Sequence, residues 1–162
     1  MNSPDVTFAV LDPGSVDGLR IGIVAASWHD NIVSELMRGC REVLTSYGIS
    51  ERNIVEYRCP GTYEIPVLAR TMIDTGLVDA IIALGVVVRG ETPHFEYVAS
   101  PVMHGLQQLA VTSGIPCIAG ILTTETLQQA WDRSGGSAGH KGKEAAEAAL
   151  YMASTIRRLR ST

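Results

Sequence analysis

Apolar residues in this chain follow two alternating rhythms, and the alternation predicts the architecture. Near-continuous aliphatic runs, suited to strands covered on both faces, lie at Leu19 to Ala26, Asp79 to Val88 and Pro116 to Leu122, and a further strand is predicted over Asn53 to Cys59. Between the strands the spacing turns helical. Over Asp30 to Tyr47 the residues Ile32, Val33, Leu36, Met37, Cys40, Val43, Leu44 and Tyr47 recur at i, i+3, i+4, and Gly48 supplies a natural stop. A second helix is predicted over Ile65 to Thr75, with Pro66 in its first turn and Gly76 at its end. Phe95, Val98, Val102, Leu106, Leu109 and Ala110 mark a third helical face that stops near Gly114. Pro101 interrupts it, which predicts a regular helix only from about Ser100 and a looser turn over His94 to Ala99. Two more helices, Glu125 to Arg133 and Lys141 to Leu159, flank the break Gly135-Gly136-Ser137-Ala138-Gly139. Ahead of all this stand a short segment, Thr7 to Val10, and a turn at Asp12-Pro13-Gly14. Strands alternating with helices predict an α/β fold, a parallel, right-handed doubly wound sheet with helices on both faces. No repeat, linker or low-complexity tract divides the chain.

Composition narrows the class without changing this picture. At 162 residues, with 46% hydrophobic and 19% charged positions, the chain fits one globular domain with a real core. No apolar window approaches the roughly 18 residues of a membrane helix, and Met1-Asn2-Ser3-Pro4-Asp5 lacks the marks of a signal peptide, so a cytoplasmic location is expected. Cys40, Cys59 and Cys117 cannot all pair and lie in apolar contexts, which predicts reduced packing residues. A net charge of −4 without a basic face argues against nucleic-acid binding, and Arg157, Arg158 and Arg160 fit a helix C-terminus instead. The thirteen Lys and Arg residues include only two lysines, Lys141 and Lys143, expected in one loop. A mechanism built on a buried Schiff-base lysine thus has few candidates.

Candidate chemistry collects where the predicted strands end. Val86-Val87-Val88 runs into Arg89-Gly90-Glu91-Thr92-Pro93-His94, delivering a titratable group to a strand-to-helix junction. Ligands of open α/β sheets bind in the crevice outside the carboxyl ends of the strands, and helix N-termini there offer N–H groups to anions, which suits a phosphate-bearing substrate. Equally, Gly90 and Pro93 could merely shape a turn, with His94 at the surface or capping the helix. The other ends carry Ser27-Trp28-His29, Gly61-Thr62-Tyr63-Glu64 and Thr123-Thr124-Glu125. This mixture of aromatics, carboxylates, histidines and hydroxyls suits a flat polar heterocycle with a hydroxylated side chain. Trp28 is either a stacking platform or, more in keeping with tryptophan generally, a buried residue at the core edge. Glu64 is either a cap charge or an acceptor for substrate hydroxyls. Arg133 and Lys141 flank the glycine-rich break, an arrangement suited to phosphate capture but also to a solvated helix–helix joint. The break is not a Walker A loop, and no G-x-G-x-x-G occurs. His29, His94, His104 and His140 lack metal-site spacing.

Ala25-Ala26-Ser27-Trp28, Pro60-Gly61-Thr62-Tyr63-Glu64-Ile65-Pro66, Gly85 to Phe95 and Leu122-Thr123-Thr124-Glu125 occur here in one order and at close spacing. Together, from about Leu19 to Leu159, they resemble the lumazine synthases of riboflavin biosynthesis. The resemblance implies a flavodoxin-like three-layer sandwich around a four-stranded parallel sheet. It also implies condensation of 5-amino-6-(D-ribitylamino)uracil with 3,4-dihydroxy-2-butanone 4-phosphate to 6,7-dimethyl-8-ribityllumazine, phosphate and water, with no cofactor or metal. On that likeness Trp28 stacks on the pyrimidine, and Thr62, Tyr63 and Glu64 hold the ring and ribityl hydroxyls. Val87 and Val88 line the ribityl channel, and His94 transfers protons. Gly90, Glu91 and Thr92, with Arg133, take the phosphate, and Lys141 lies near the pocket. Ala119 falls where some relatives set an aromatic against the pyrimidine, and His29 where many have a small amide.

The resemblance further implies a pocket between adjacent subunits, with Arg133 reaching a neighbour's His94 around a five-fold ring. Residues 1–18 are expected to pack on a neighbouring subunit, and 19–162 to form the single domain. The short joint Gly135 to Gly142 resembles shell-forming relatives, which predicts pentamers assembled into a sixty-subunit shell. One rival is a binding or scaffold homologue that keeps the pocket without turnover. Another, a flavodoxin-like response module, is weakened because Ala25-Ala26-Ser27 lacks the paired acidic residues of a metal-dependent phosphoacceptor site.

Overall fold

The computed structural model describes residue 11 and residues 14–162; the Thr7 to Val10 segment and most of the following turn lie outside them. Four strands, β1 (Ile21–Ala26), β2 (Ile54–Cys59), β3 (Ala80–Val88) and β4 (Cys117–Thr124), form one parallel sheet in the order β2-β1-β3-β4. The aliphatic runs are central for the expected reason. Every side chain of β1 and the first seven of β3 are buried, whereas the edge strand β2 exposes Tyr57 and Arg58.

Helices α1 (Asp30–Ser46) and α5 (Lys141–Arg160) cover one face of the sheet; α2 (Ile65–Asp74) and α3 (His94–Ser113) cover the other. The predicted stripe of α1 is buried at Ile32, Val33, Leu36, Cys40, Val43 and Leu44, while Tyr47 points outward. Gly48 ends the helix with φ 85°; its N–H donates to the Thr45 carbonyl and that of Ile49 to the Leu44 carbonyl, closing a Schellman turn. α5 lies so close to α1 that a Cβ on Gly142 would collide with the Leu36 carbonyl, hence its face of Ala145, Ala146, Ala149 and Ala153. The three arginines of its last turn include Arg157, which donates to the Asp17 carbonyl at 2.7 Å. All three cysteines are free thiols, two buried and Cys117 half-buried.

Four boundaries differ from the sequence reading. α3 starts at His94 rather than near Ser100: Pro93, at φ −63°, leads directly into the helix, and Pro101 is exposed, so its missing hydrogen bond falls on the solvent side. β4 runs two residues past Leu122 because Thr123 and Thr124 pair with Val87 and Val88. α4 spans only Leu127–Asp132, since Thr126 caps it by accepting the Gln129 N–H at 3.2 Å, leaving Glu125 outside. The glycine-rich break is an antiparallel hairpin, β5 (Ser134–Gly136) and β6 (Gly139–His140), and Lys141 and Lys143 begin α5 rather than lying in a loop.

Candidate active site

The carboxyl ends of all four parallel strands open on one rim, and hydrogen bonds knit neighbouring loops together there. After β1, the Ser27 N–H and Oγ both donate to the Cys59 carbonyl at 2.9 Å, and the Trp28 N–H reaches the Pro60 carbonyl. His29 takes a left-handed conformation, φ 58° and ψ 44°, and α1 begins immediately after it. This tight corner leaves Trp28 69% exposed, so the core-edge reading of that residue does not hold in the single chain. Arg58 ties the corner down from β2, donating to Asp30 Oδ1 at 2.6 Å and to Ser34 Oγ at 2.9 Å.

After β2, residues 62–64 make a 3-10 turn into α2. Glu64 Oε2 accepts the Gly61 N–H at 2.9 Å, which establishes its capping role, while its Oε1 takes no bond from the described residues. Thr62 is buried, its methyl filling the space that a Cβ on Gly85 of β3 would need. Tyr63, 61% exposed, projects outward like Trp28. Val87 and Val88 end β3 half-buried on opposite faces, the first beside the α2/α3 core and the second beside the α1/α5 core.

Between β3 and α3, Gly90, Glu91 and Thr92 are exposed, and their N–H groups have no acceptor among the described residues. His94 is the first residue of α3, exposed, and its imidazole has no hydrogen-bond partner among the described residues. Arg89 was not singled out from sequence, yet it is the best-connected side chain on this rim. It pairs with Glu96 and, at 2.8 Å, with Glu125, and stacks on Phe95. The Arg89 hydrogen bond draws the Glu96 carboxyl below its ordinary range, and the two carboxylates raise the arginine's own value. The available signal was the position of Arg89 and Glu125 at the ends of two predicted strands; nothing in the spacing showed that they pair.

Arg133 caps the end of α4 and donates to the Gln129 carbonyl at 3.1 Å; Lys141 pairs with Glu144 at 2.5 Å. The Lys141 N–H donates to the Arg133 carbonyl at 2.8 Å, so the hairpin brings these two cations to a common base. Neither shares a hydrogen bond or ion pair with His94 within the chain. Ala119 lies five residues before the end of β4, roughly 16 Å back along the strand, in a groove with Met103, His104, Gln107, Val111 and Cys117. The described residues contain no cluster of three or more His, Cys, Asp or Glu suited to a metal ion, and no helix long and apolar enough to cross a membrane.

Comparison with known proteins bears directly on this rim. The family model of 6,7-dimethyl-8-ribityllumazine synthase matches residues 18–157. A 6,7-dimethyl-8-ribityllumazine synthase of Porphyromonas gingivalis is 47% identical over 135 residues, covering 83% of this chain and 84% of that protein. One from Parabacteroides distasonis is 46% identical over 134 residues, with the same coverage. With the sheet order and the rim loops in place across the matched span, the chain belongs to the 6,7-dimethyl-8-ribityllumazine synthase family.

Proposed function

We propose that this protein condenses 5-amino-6-(D-ribitylamino)uracil with 3,4-dihydroxy-2-butanone 4-phosphate to give 6,7-dimethyl-8-ribityllumazine, phosphate and water, in the cytoplasm. The observation that carries the reading is the family match over residues 18–157, whose span includes all the rim loops named above. The substrate's own amine attacks the ketone, so no enzyme lysine serves as nucleophile. His94, its imidazole unpartnered at the head of α3, relays protons during imine formation, phosphate elimination and ring closure, a task suited to a ring that can both accept and donate a proton. The free N–H groups of Gly90, Glu91 and Thr92 receive the phosphate, and Arg133 adds charged, paired hydrogen bonds to it as it leaves. Trp28 stacks on the pyrimidine. Thr62, Tyr63 and the free Oε1 of Glu64 meet the ring and ribityl chain, which passes the end of β3 at Val87 and Val88. Holding two reactants in register contributes up to roughly 7–11 kcal/mol in well-oriented systems.

Arg133, Lys141 and Ala119 join the site from an adjacent subunit. That arrangement accounts for a rim with exposed aromatics and for an Ala119 placed far from the end of its own sheet. Pentamers, assembled further into an icosahedral shell, complete the reading. The deciding experiment mixes purified protein with both substrates and follows the lumazine chromophore against an enzyme-free control. Acceleration is expected; binding of lumazine or riboflavin without acceleration would favour a non-catalytic homologue.

A further inference from the structure

Six residues, Arg89 to His94, run from the end of β3 to the first residue of α3, and together with Arg133 they hold the proposed phosphate and proton-transfer chemistry. The first of them, Arg89, donates its N–H to the Thr124 carbonyl at 2.8 Å, aligning the ends of β3 and β4. Its guanidinium then makes three contacts. Nη1 donates to Glu96 Oε1 in the first turn of α3, Nε donates to Glu125 Oε1 at 3.0 Å beyond β4, and Cζ stands 4.2 Å from the centroid of Phe95. Phe95 and Glu96 directly follow His94, so one planar cation grips both sides of the Gly90-to-His94 link. Nothing else of comparable reach does so among the described residues. The link's own N–H groups at positions 90–92 are free, and the Pro93 carbonyl accepts only the Glu96 N–H, a bond inside the helix's first turn.

We infer that Arg89 is a positioning residue: it fixes the Gly90-to-His94 link so that His94 and the free N–H groups meet the phosphorylated substrate together, and its charge cancels two carboxylates beside an anion site. The inference rests on the condensation reading above. Its geometry distinguishes Arg from Lys, because an ammonium is a compact point charge without the planar face that lies on Phe95 or the fixed fork that reaches Glu96 and Glu125.

The test measures kcat and the KM for each substrate in wild type, Arg89→Ala, Arg89→Lys and Glu125→Gln, alongside thermal midpoint and particle size. For Arg89→Ala, kcat should fall about tenfold or more and the KM for the butanone phosphate should rise about tenfold, while the KM for the pyrimidine stays within about twofold. Arg89→Lys should recover part of the loss. Glu125→Gln, which removes one anchor and keeps the guanidinium, should show the same pattern at about two- to fivefold, and it decides the matter if Arg89→Ala fails to fold. Wild type that does not accelerate the condensation overturns the reading and this inference with it. An active wild type with unchanged Arg89→Ala kinetics overturns the inference alone, as do losses that affect both KM values equally or merely follow a lowered thermal midpoint.

Discussion

His94 and Arg133 carry different burdens in the proposed reaction, and single substitutions should separate them. A residue that only moves protons leaves substrate binding intact when removed; His94→Ala should therefore lower kcat by about 10²–10⁴-fold with both KM values little changed. An unchanged steady-state rate would remove His94 from the mechanism. Arg133→Ala should act chiefly through the phosphorylated substrate, raising its KM while that of the pyrimidine holds, as initial rates with each substrate varied in turn will reveal. Legibility at this scale was uneven. Glu64 had two readings from sequence and the structure confirms the cap. Trp28 also had two readings, a stacking platform or a buried residue at the core edge, and the tight corner at His29 leaves it exposed. The Arg89–Glu125 pair joins residues 36 positions apart and left no periodic trace.

At the scale of elements, the β5–β6 hairpin departs most from expectation. Its residues read as a solvated joint because glycine-rich composition signals turns without saying what they pack against. The anchor is His140, which lies over Gly39 of α1, where any Cβ would collide with its ring, and whose two ring nitrogens are buried without a partner. Burial, reinforced by Lys143 on α5 and Arg38 on α1, holds this imidazole below its ordinary value against the opposing pull of Glu35 and Glu42 on α1. The folded ring is thus neutral where the unfolded one takes a proton. The stability this provides is complete above the ordinary value of 6.5 and is lost as pH falls below it toward the folded value. Thermal midpoints measured from pH 7.5 down to about 5 should decline, and His140→Asn should flatten that decline; an identical slope in the variant would mean other groups cause it. The strands and long helices, by contrast, were legible almost throughout, since burial on two faces or along one stripe writes itself into spacing. The errors gathered at ends decided by caps, register and a proline facing solvent.

Taken whole, the chain presents several large apolar side chains to solvent on its α2/α3 layer. Val67 on α2 and Tyr97 and Val111 on α3 are each at least 66% exposed, all in one layer, and the Ala119 groove opens beside α3. Such surface in one layer marks association. Light scattering should accordingly return a mass near five, or near sixty, times the 17.4 kDa of one chain, and the proposed shell requires the larger value. A monomer that still turned over would refute the shared site. The parallel sheet with helices on both faces could be anticipated from alternation alone, but no pattern within one sequence states which of its surfaces meets a copy of itself.

The placement of Lys141 and Lys143 in the first turn of α5 has a practical side. To an amine-reactive reagent this protein, rich in arginine, is almost blank. Apart from the terminal amine it offers two addresses, with only Gly142 between them, and Lys141 alone shares its backbone pairing with Arg133. Acylation followed by mass spectrometry then becomes a footprint of one corner of the molecule. Inorganic phosphate that shields Lys141 but not Lys143 would chart the anion's seat without a label being engineered anywhere.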